Sequence, residues 1–428
     1  MTLKSRLQDT PYQGYTYSYP HKTAYRPLQP SVPLNRVWSQ EDKASLFLYL
    51  HIPFCRMRCG FCNLFTTARP QDSLPARYLK QLRVEAEANM EALGEASFAR
   101  LAVGGGTPTY LSLTELVDLF SIITGVMGCS PEAVPSSVEM SPETVTAEKL
   151  QYLAELGVDR ASIGIQSFVE EETRSLRRPQ KPETAREALR MMKDAGFATV
   201  NIDLIYGIRD QTARSWRESL ENALAYDPEE LYLYPLYLRP LTGLGRRSRP
   251  WDDQRLTLYR QGRDFLLSRG YRQVSMRMFR KGQGLEGPVY SCQQDGMVGL
   301  GVGARSYTQN LHYSTDWAVG RSGVLEIISS YLSRSPHSFH TAHYGIALDD
   351  EERRRRFLLL SLLSSEGLET GAVTELEREL VPLWELDLLE ECEGKVRLTT
   401  RGLERSDTIG PWLYSRKVKA LMETFALR

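Results

Sequence analysis

Half of the cysteines in this chain fall within eight positions. The stretch LHIPFCRMRCGFCNLF, residues 50–65, carries Cys55, Cys59 and Cys62, and the 428 residues hold six cysteines in all. Three inert core cysteines so close together would be three coincidences, so the cluster points to metal or redox chemistry. Structural zinc takes four ligands, usually in separated C-x2-C pairs. No second pair exists here, and His51 has no partner at zinc-like spacing. A [4Fe–4S] cluster takes four thiolates. Three cysteines on a tight loop hold three of its irons and leave the fourth open. An open iron can chelate a small molecule and pass it an electron.

S-adenosylmethionine (SAM) chelates iron in this way, through its amino and carboxylate groups. Electron transfer then breaks a carbon–sulfur bond and releases a 5′-deoxyadenosyl radical. The cofactors carry the difficult chemistry, and the protein supplies position and shelter from water. Other strand ends must bind the rest of the molecule. GGGTPTYL, residues 104–111, directly follows a predicted strand. Alone it reads as a tight βα turn; placed one strand after the cysteine loop, its glycines would let the backbone approach a ligand that side chains would block. Glu139, Gln166 and Asp203 stand at three other predicted strand ends. A carboxylate buried there without a partner is costly, so three polar residues in register at one rim indicate a ligand site.

These residues need a scaffold, and the alternation of the chain supplies one. Apolar runs read as strands: LFLYLHI, RLAVGG, SSVEMS, RASIGIQSF, TVNIDLIYG and ELYLYPLYL. Between them lie amphipathic stretches such as PARYLKQLRVEAEANMEAL and PETAREALRMMKDAG, several stopping at glycine. Strands alternating with helices predict βαβ units and a parallel sheet. Six strands are too few for the eight-stranded barrel. The expected fold class is therefore α/β, a partial (β/α)6 TIM-like barrel, with its chemistry at the C-terminal strand ends. The expected divisions are an N-terminal arm (1–44), a core (45–250), an extension with a glycine-rich loop (251–342) and a C-terminal domain (343–428). The arm is rich in Tyr and Pro without a period, yet so many aromatics predict that it packs on something. The tail reads as a small winged-helix-like domain, and the run Glu351–Arg356 as a solvated helix start. A DNA-binding regulator would rest on that tail alone.

Lys+Arg and Asp+Glu each count 53, giving a formal charge of zero. That argues against a nucleic-acid binder, which needs a basic face, and against a polybasic membrane anchor. No apolar run reaches the roughly 20 residues of a membrane span, and the start shows no secretory pattern. Few cysteines and no disulfide framework predict a cytoplasmic, reducing location.

Several ordered motifs carry a resemblance. C-x3-C-x2-C with Phe61 before the last cysteine is the signature of the radical SAM superfamily. YLHIPFC, GGGTPTYL, SIGIQSF and NIDLIYG together resemble its oxygen-independent coproporphyrinogen III oxidase-like (HemN-like) branch, as do the arm GYTYSYP and the tail. The resemblance implies that Cys55, Cys59 and Cys62 ligate a [4Fe–4S] cluster. It implies that Tyr49, Phe61, Gly105, Gly106, Thr107 and Glu139 contact the cluster-bound SAM, with Tyr49 also at the substrate. Gln166, Arg178 and Asp203 match positions that hold a second SAM or substrate. Arg305 matches a position whose backbone touches the first SAM.

One position departs from the pattern. The true oxidase has a fourth cysteine two places after the third, where this chain has Leu64. That marks a subgroup other than the true oxidase. Cys292, in YSCQQDG, is a candidate second thiol facing substrate, with a buried inert cysteine as the plainer reading. The expected activity is hydrogen abstraction from a small organic, porphyrin-like substrate. The alternatives are a methyltransferase using two SAM molecules or a heme-binding chaperone on the same scaffold. As axial heme ligands, His312 and the His337/His340/His343 group are expected to be surface residues instead. A reduced flavodoxin or ferredoxin is the implied electron donor.

Overall fold

The computed structural model describes residues 2–9, 12–247, 253–282, 296–373 and 377–427. Six strands follow the expected alternation: β1 (Leu46–Ile52), β2 (Phe98–Gly105), β3 (Ser136–Met140), β4 (Arg160–Gln166), β5 (Thr199–Tyr206) and β6 (Glu230–Pro235). Helices α1 (Leu74–Leu93), α2 (Leu113–Ser121), α3 (Ala147–Glu155), α4 (Pro182–Ala195) and α5 (Ala213–Leu224) lie between them. Local chemistry sets their ends. Ser112 and Glu115 form a reciprocal capping box at the start of α2, and α4 stops at Gly196 in the left-handed region. Alternate residues of each strand face the helices, such as Val200, Ile202 and Leu204, while those between them, such as Asn201 and Asp203, line the barrel interior.

The six strands pair in parallel in chain order. A further parallel strand joins ahead of β1. After β7 (Tyr271–Gln273) and β8 (Met278–Lys281) comes β9 (Met297–Leu300), which pairs with β1 from Met297↔Phe47 to Leu300↔Leu50. The parallel set therefore has one more strand than the sequence indicated. β9 is four residues long and contains a glycine, so neither alternation nor an apolar run announces it. Strands β10 (Arg305–Tyr307), β11 (Leu311–Ser314) and β12 (Thr341–Ala347) extend the sheet antiparallel on that side, and β8 and β7 do so beyond β6.

The arm is more ordered than its composition suggests. It holds a helix, Leu3–Asp9, and a strand, Arg26–Pro33, that pairs with β12. Tyr19, Tyr25 and Trp38 are fully buried. Helix α6 (Arg255–Ser268) packs on α5, and α7 (Asp350–Leu362) opens the C-terminal region. There a three-stranded sheet, Leu368–Glu369, Lys395–Leu398 and Leu389–Cys392 in spatial order, packs with short helices. Arm residues Leu3, Tyr19 and Tyr25 share its hydrophobic core.

Two expectations are corrected. Glu352 and Arg356 are buried, not solvated, because the Tyr19 hydroxyl and Ser415 Oγ (2.7 Å) donate to the Glu352 carboxylate and Arg356 donates to the Tyr19 carbonyl at 2.7 Å. His312 is fully buried, its ring 4.5 Å from that of Tyr307. Among the described residues no helix is long and apolar enough to cross a membrane.

Candidate active site

The register of β1 on β2 places the two main motifs side by side. Ile52 pairs with Gly105, so the cysteine loop that leaves β1 faces the glycine turn that leaves β2. The Gly106 amide donates to the Ile52 carbonyl and the Thr107 amide to that of Phe54, both at 2.8 Å. Gly105 has φ +109°, and a Cβ there would stand 2.6 Å from the His51 ring. Only glycine meets both demands.

The cysteine loop is held by its own backbone. The Gly60 amide donates to Leu176 O (2.8 Å), the Leu244 amide to Gly60 O (2.7 Å), and the Arg69 amide to Cys55 O (3.0 Å). A Cβ on Gly60 would come within 2.9 Å of that Leu176 carbonyl. Cys55, Cys59 and Cys62 are half-buried and free of disulfides. Thr107 Oγ1 donates to Cys55 Sγ at 3.6 Å, and Arg178 Nη1 to Cys59 Sγ at 3.3 Å. Burial, then neighbouring Cys62, pushes the Cys55 thiol up to about 12; burial and Cys59 raise Cys62.

The carboxylates form a second group. Glu139 opens to the cavity and accepts the Gly105 amide at 2.9 Å. Removal from bulk water raises its pKa, against the pull of that amide and Arg160. Asp203 is pushed up to about 7 by burial, although Asn201 Nδ2 donates to it at 2.8 Å. The three polar rim residues are staggered, not level. Glu139 pairs with Ser162, Asp203 with Gly164, and an irregularity between Gly164 and Gln166 leaves Gln166 at φ +72°. Arg178 also donates to Gly164 O (2.7 Å) and Ser141 Oγ (3.0 Å), tying β4 to the cysteine loop.

His51 Nε2 donates to Phe65 O at 2.9 Å, so Nδ1 accepts from Tyr49 Oη at 3.2 Å. Burial lowers its pKa to about 4, and the ring is neutral. Arg305 turns its guanidinium to Tyr17 Oη (3.1 Å) and Ser18 Oγ (3.2 Å) of the arm.

Every expected site residue that is described lines one cavity of about 1310 Å³ at the C-terminal strand ends. Cys292 lies outside the described residues. Sequence reasoning missed the opposite wall, built from Tyr15, Tyr17, His21 and Lys22 of the arm, Arg239 after β6, and Asp407 and Tyr414 near the C-terminus. The tyrosine density of the arm was the available signal. Lys22 Nζ lies 3.9 Å from the Trp317 ring, and among the described residues no carboxylate contacts it, Arg239 or Arg305. Burial and the Arg305 charge pull the Lys22 ammonium well below its usual value, against an opposing pull from Cys62. Also missed was the barrel floor, where the fully buried Glu230 bridges Arg160 (2.8 Å) and Arg280 (2.7 Å).

The donor set fits an iron–sulfur cluster. Three thiols share one cavity wall, with N–H and O–H donors aimed at two of the sulfurs, as cluster sites use. Among the described residues no three His, Cys, Asp or Glu side chains converge tightly enough for a single metal ion.

A cysteine loop and glycine turn at the rim of a partial α/β barrel define a radical SAM protein, and the radical SAM superfamily model matches residues 49–223. The oxygen-independent coproporphyrinogen III oxidase of Paracoccus denitrificans is 32% identical over 291 residues, covering 65% of this chain and 63% of that protein. The heme chaperone HemW of Bacillus subtilis is 30% identical over 272 residues, covering 60% and 70%. The solved coproporphyrinogen III oxidase (HemN) of Escherichia coli superposes with a TM-score of 0.78 at 23% identity, covering 93% of this chain and 96% of that one, which concerns the fold alone. The chain belongs to the HemN-like branch of the radical SAM superfamily. Membership implies a [4Fe–4S] cluster and SAM.

Proposed function

We propose that this protein is an enzyme that cleaves SAM reductively and directs the resulting 5′-deoxyadenosyl radical at a small organic substrate. A porphyrin-like acid is the substrate its relatives suggest. One observation carries the reading: cysteine loop, glycine turn, Glu139, Gln166, Arg178 and Asp203 all line a single cavity. When bound, the cluster supplies the electron that breaks the carbon–sulfur bond.

The chain's own residues do the rest. Cys55, Cys59 and Cys62 would hold the cluster, with Thr107 and Arg178 as hydrogen-bond donors to their sulfurs. Glu139 and the Gly105–Thr107 backbone would receive the amino end of SAM, beside Phe61 and Tyr49. Gln166 and Asp203 would orient a second SAM or the substrate. Drug-sized ligands occupy about 300–1,000 Å³, and the 1310 Å³ here leaves space beyond one such molecule. Lys22, Arg239 and Arg305 would hold acidic groups of the substrate. The arm and the C-terminal region shelter the site from water.

A heme chaperone needs an axial ligand. His51 uses Nε2 as a donor, and the Thr23 amide donates to His21 Nδ1 at 3.3 Å, which leaves the proton on Nε2. Both cavity histidines are already engaged in hydrogen bonds, His51 with Phe65 O and Tyr49 and His21 with Thr23, which favours the enzyme.

Anaerobic reconstitution should give about four irons per chain. Dithionite and SAM should then release 5′-deoxyadenosine, and S-adenosylhomocysteine would indicate methyl transfer instead. A preparation that binds zinc and never shows an iron–sulfur absorption band refutes the proposal. Heme retained through gel filtration without SAM cleavage would favour the chaperone.

A further inference from the structure

The cysteine loop has an outer face as well as a cavity face. Arg69, Arg177 and Arg246 are exposed, and none of them lines the cavity. Each belongs to a segment bonded directly to the loop backbone: Arg69 through its own amide to Cys55 O, Arg177 beside Leu176 O, which accepts from Gly60, and Arg246 just after Leu244, which donates to Gly60 O. Arg56, inside the loop, is exposed at the cavity mouth, and its guanidinium donates to a carbonyl, Glu143 O, at 3.1 Å. The Glu143 carboxylate instead accepts from Ser141. Leu64, two residues after Cys62, is 46% exposed. Among the described residues these four arginines make no ion pair, unlike Arg174 with Glu170 and Arg217 with Glu221, and they stand together around one loop.

We infer that this arginine collar is the docking surface for an acidic one-electron carrier protein of the flavodoxin or ferredoxin kind. The inference rests on the proposed function, which requires an electron from outside. Surplus positive charge on a chain of zero net charge steers an acidic partner to one place and sets its orientation. The collar surrounds the segment nearest the cluster cysteines, and Leu64 offers an apolar contact at its rim. One electron leaves the reduced carrier and enters the cluster; no bond forms or breaks and no proton moves.

The test compares two electron sources on the reconstituted full-length protein. The variants are Arg69→Glu and Arg177→Glu, singly and together. With dithionite, 5′-deoxyadenosine formation stays within about twofold of the parent. With reduced flavodoxin it falls about tenfold or more in the double variant, and raising salt from about 0.05 to 0.5 M slows the parent more than the variant. Calorimetric titration with oxidised flavodoxin, which needs no turnover, shows the same loss of affinity. Equal carrier-driven rates in parent and double variant, or equal affinities, overturn the inference. If the parent yields no 5′-deoxyadenosine even with dithionite, the enzyme reading fails, and the titration still decides the surface.

Discussion

Replacing Gly105 with alanine puts a methyl group where His51 stands. The added Cβ would lie 2.6 Å from His51 Cε1 and Nε2 and 2.7 Å from Nδ1. The ring cannot simply retreat, because it is tied to Tyr49 and to the Phe65 carbonyl. Overpacking of this kind costs about 1–3 kcal/mol. The φ of +109° adds about 1–2 kcal/mol for a residue with a Cβ. Gly105→Ala should therefore lose about 2–5 kcal/mol. Gly196→Ala is the control: its φ is +77° and nothing lies within 4 Å of the added carbon, so it should lose only the backbone share. Thermal unfolding of both variants, beside the parent, measures the difference. His51→Ala should relieve the clash, so the double variant Gly105→Ala/His51→Ala is more stable than the sum of the singles requires, by about 1–3 kcal/mol. If Gly105→Ala unfolds with Gly196→Ala, or the double variant is additive, the glycine turn is not packed on His51 and the argument for the site fails at its first contact.

Three further outcomes can be checked. Cys59→Ala should abolish the iron–sulfur absorption and reduce bound iron from about four per chain to near zero; retention of a full complement contradicts the ligand assignment. Asp203 has its folded pKa raised to about 7 from the usual 3.8, so its proton is bound more tightly in the folded state. It therefore costs no stability below pH 4, and the cost grows as pH rises towards 7 and is constant above. Asp203→Asn should remove that decline, so the gap in melting temperature between variant and parent widens in its favour from pH 5 to pH 8; a gap that does not change with pH refutes the shift. Arg277 and Asp407 form a buried pair at 2.5 Å between the core and the C-terminal region. Arg277→Met leaves the carboxylate unmatched and should destabilise by about 3–5 kcal/mol, with faster amide exchange in Ser406–Leu413; unchanged exchange there would show that the pair is not a clasp.

The six parallel strands were legible because each carries apolar residues between helical stretches, and their ends fall within about three residues of the sequence-based bounds. The cysteine spacing, the glycine turn and the three polar strand ends were legible for a related reason. In a βαβ barrel, local position along a strand fixes the rim on which a residue emerges. What stayed hidden depends on contacts distant in sequence. Arg178 reaches Cys59 across 119 residues, and Arg305 reaches Ser18 across 287. No local pattern announces such pairs. The burial of Glu352 was hidden in the same way, since a run of charges at a helix start looks solvated until Tyr19 is placed on it.

That last contact has a temporal meaning. Tyr19 and Glu352 are separated by 333 residues. At roughly 5–20 residues per second, a ribosome needs about 15–70 s to bring the second after the first. The cysteines emerge early in that interval, while Asp407 and Tyr414, which complete the cavity wall begun by the arm, follow Glu352 in the chain. Until then the cavity lacks the part of its wall that Asp407 and Tyr414 supply. The order of synthesis therefore puts the cysteine loop ahead of the contact that ties the arm to the C-terminal region.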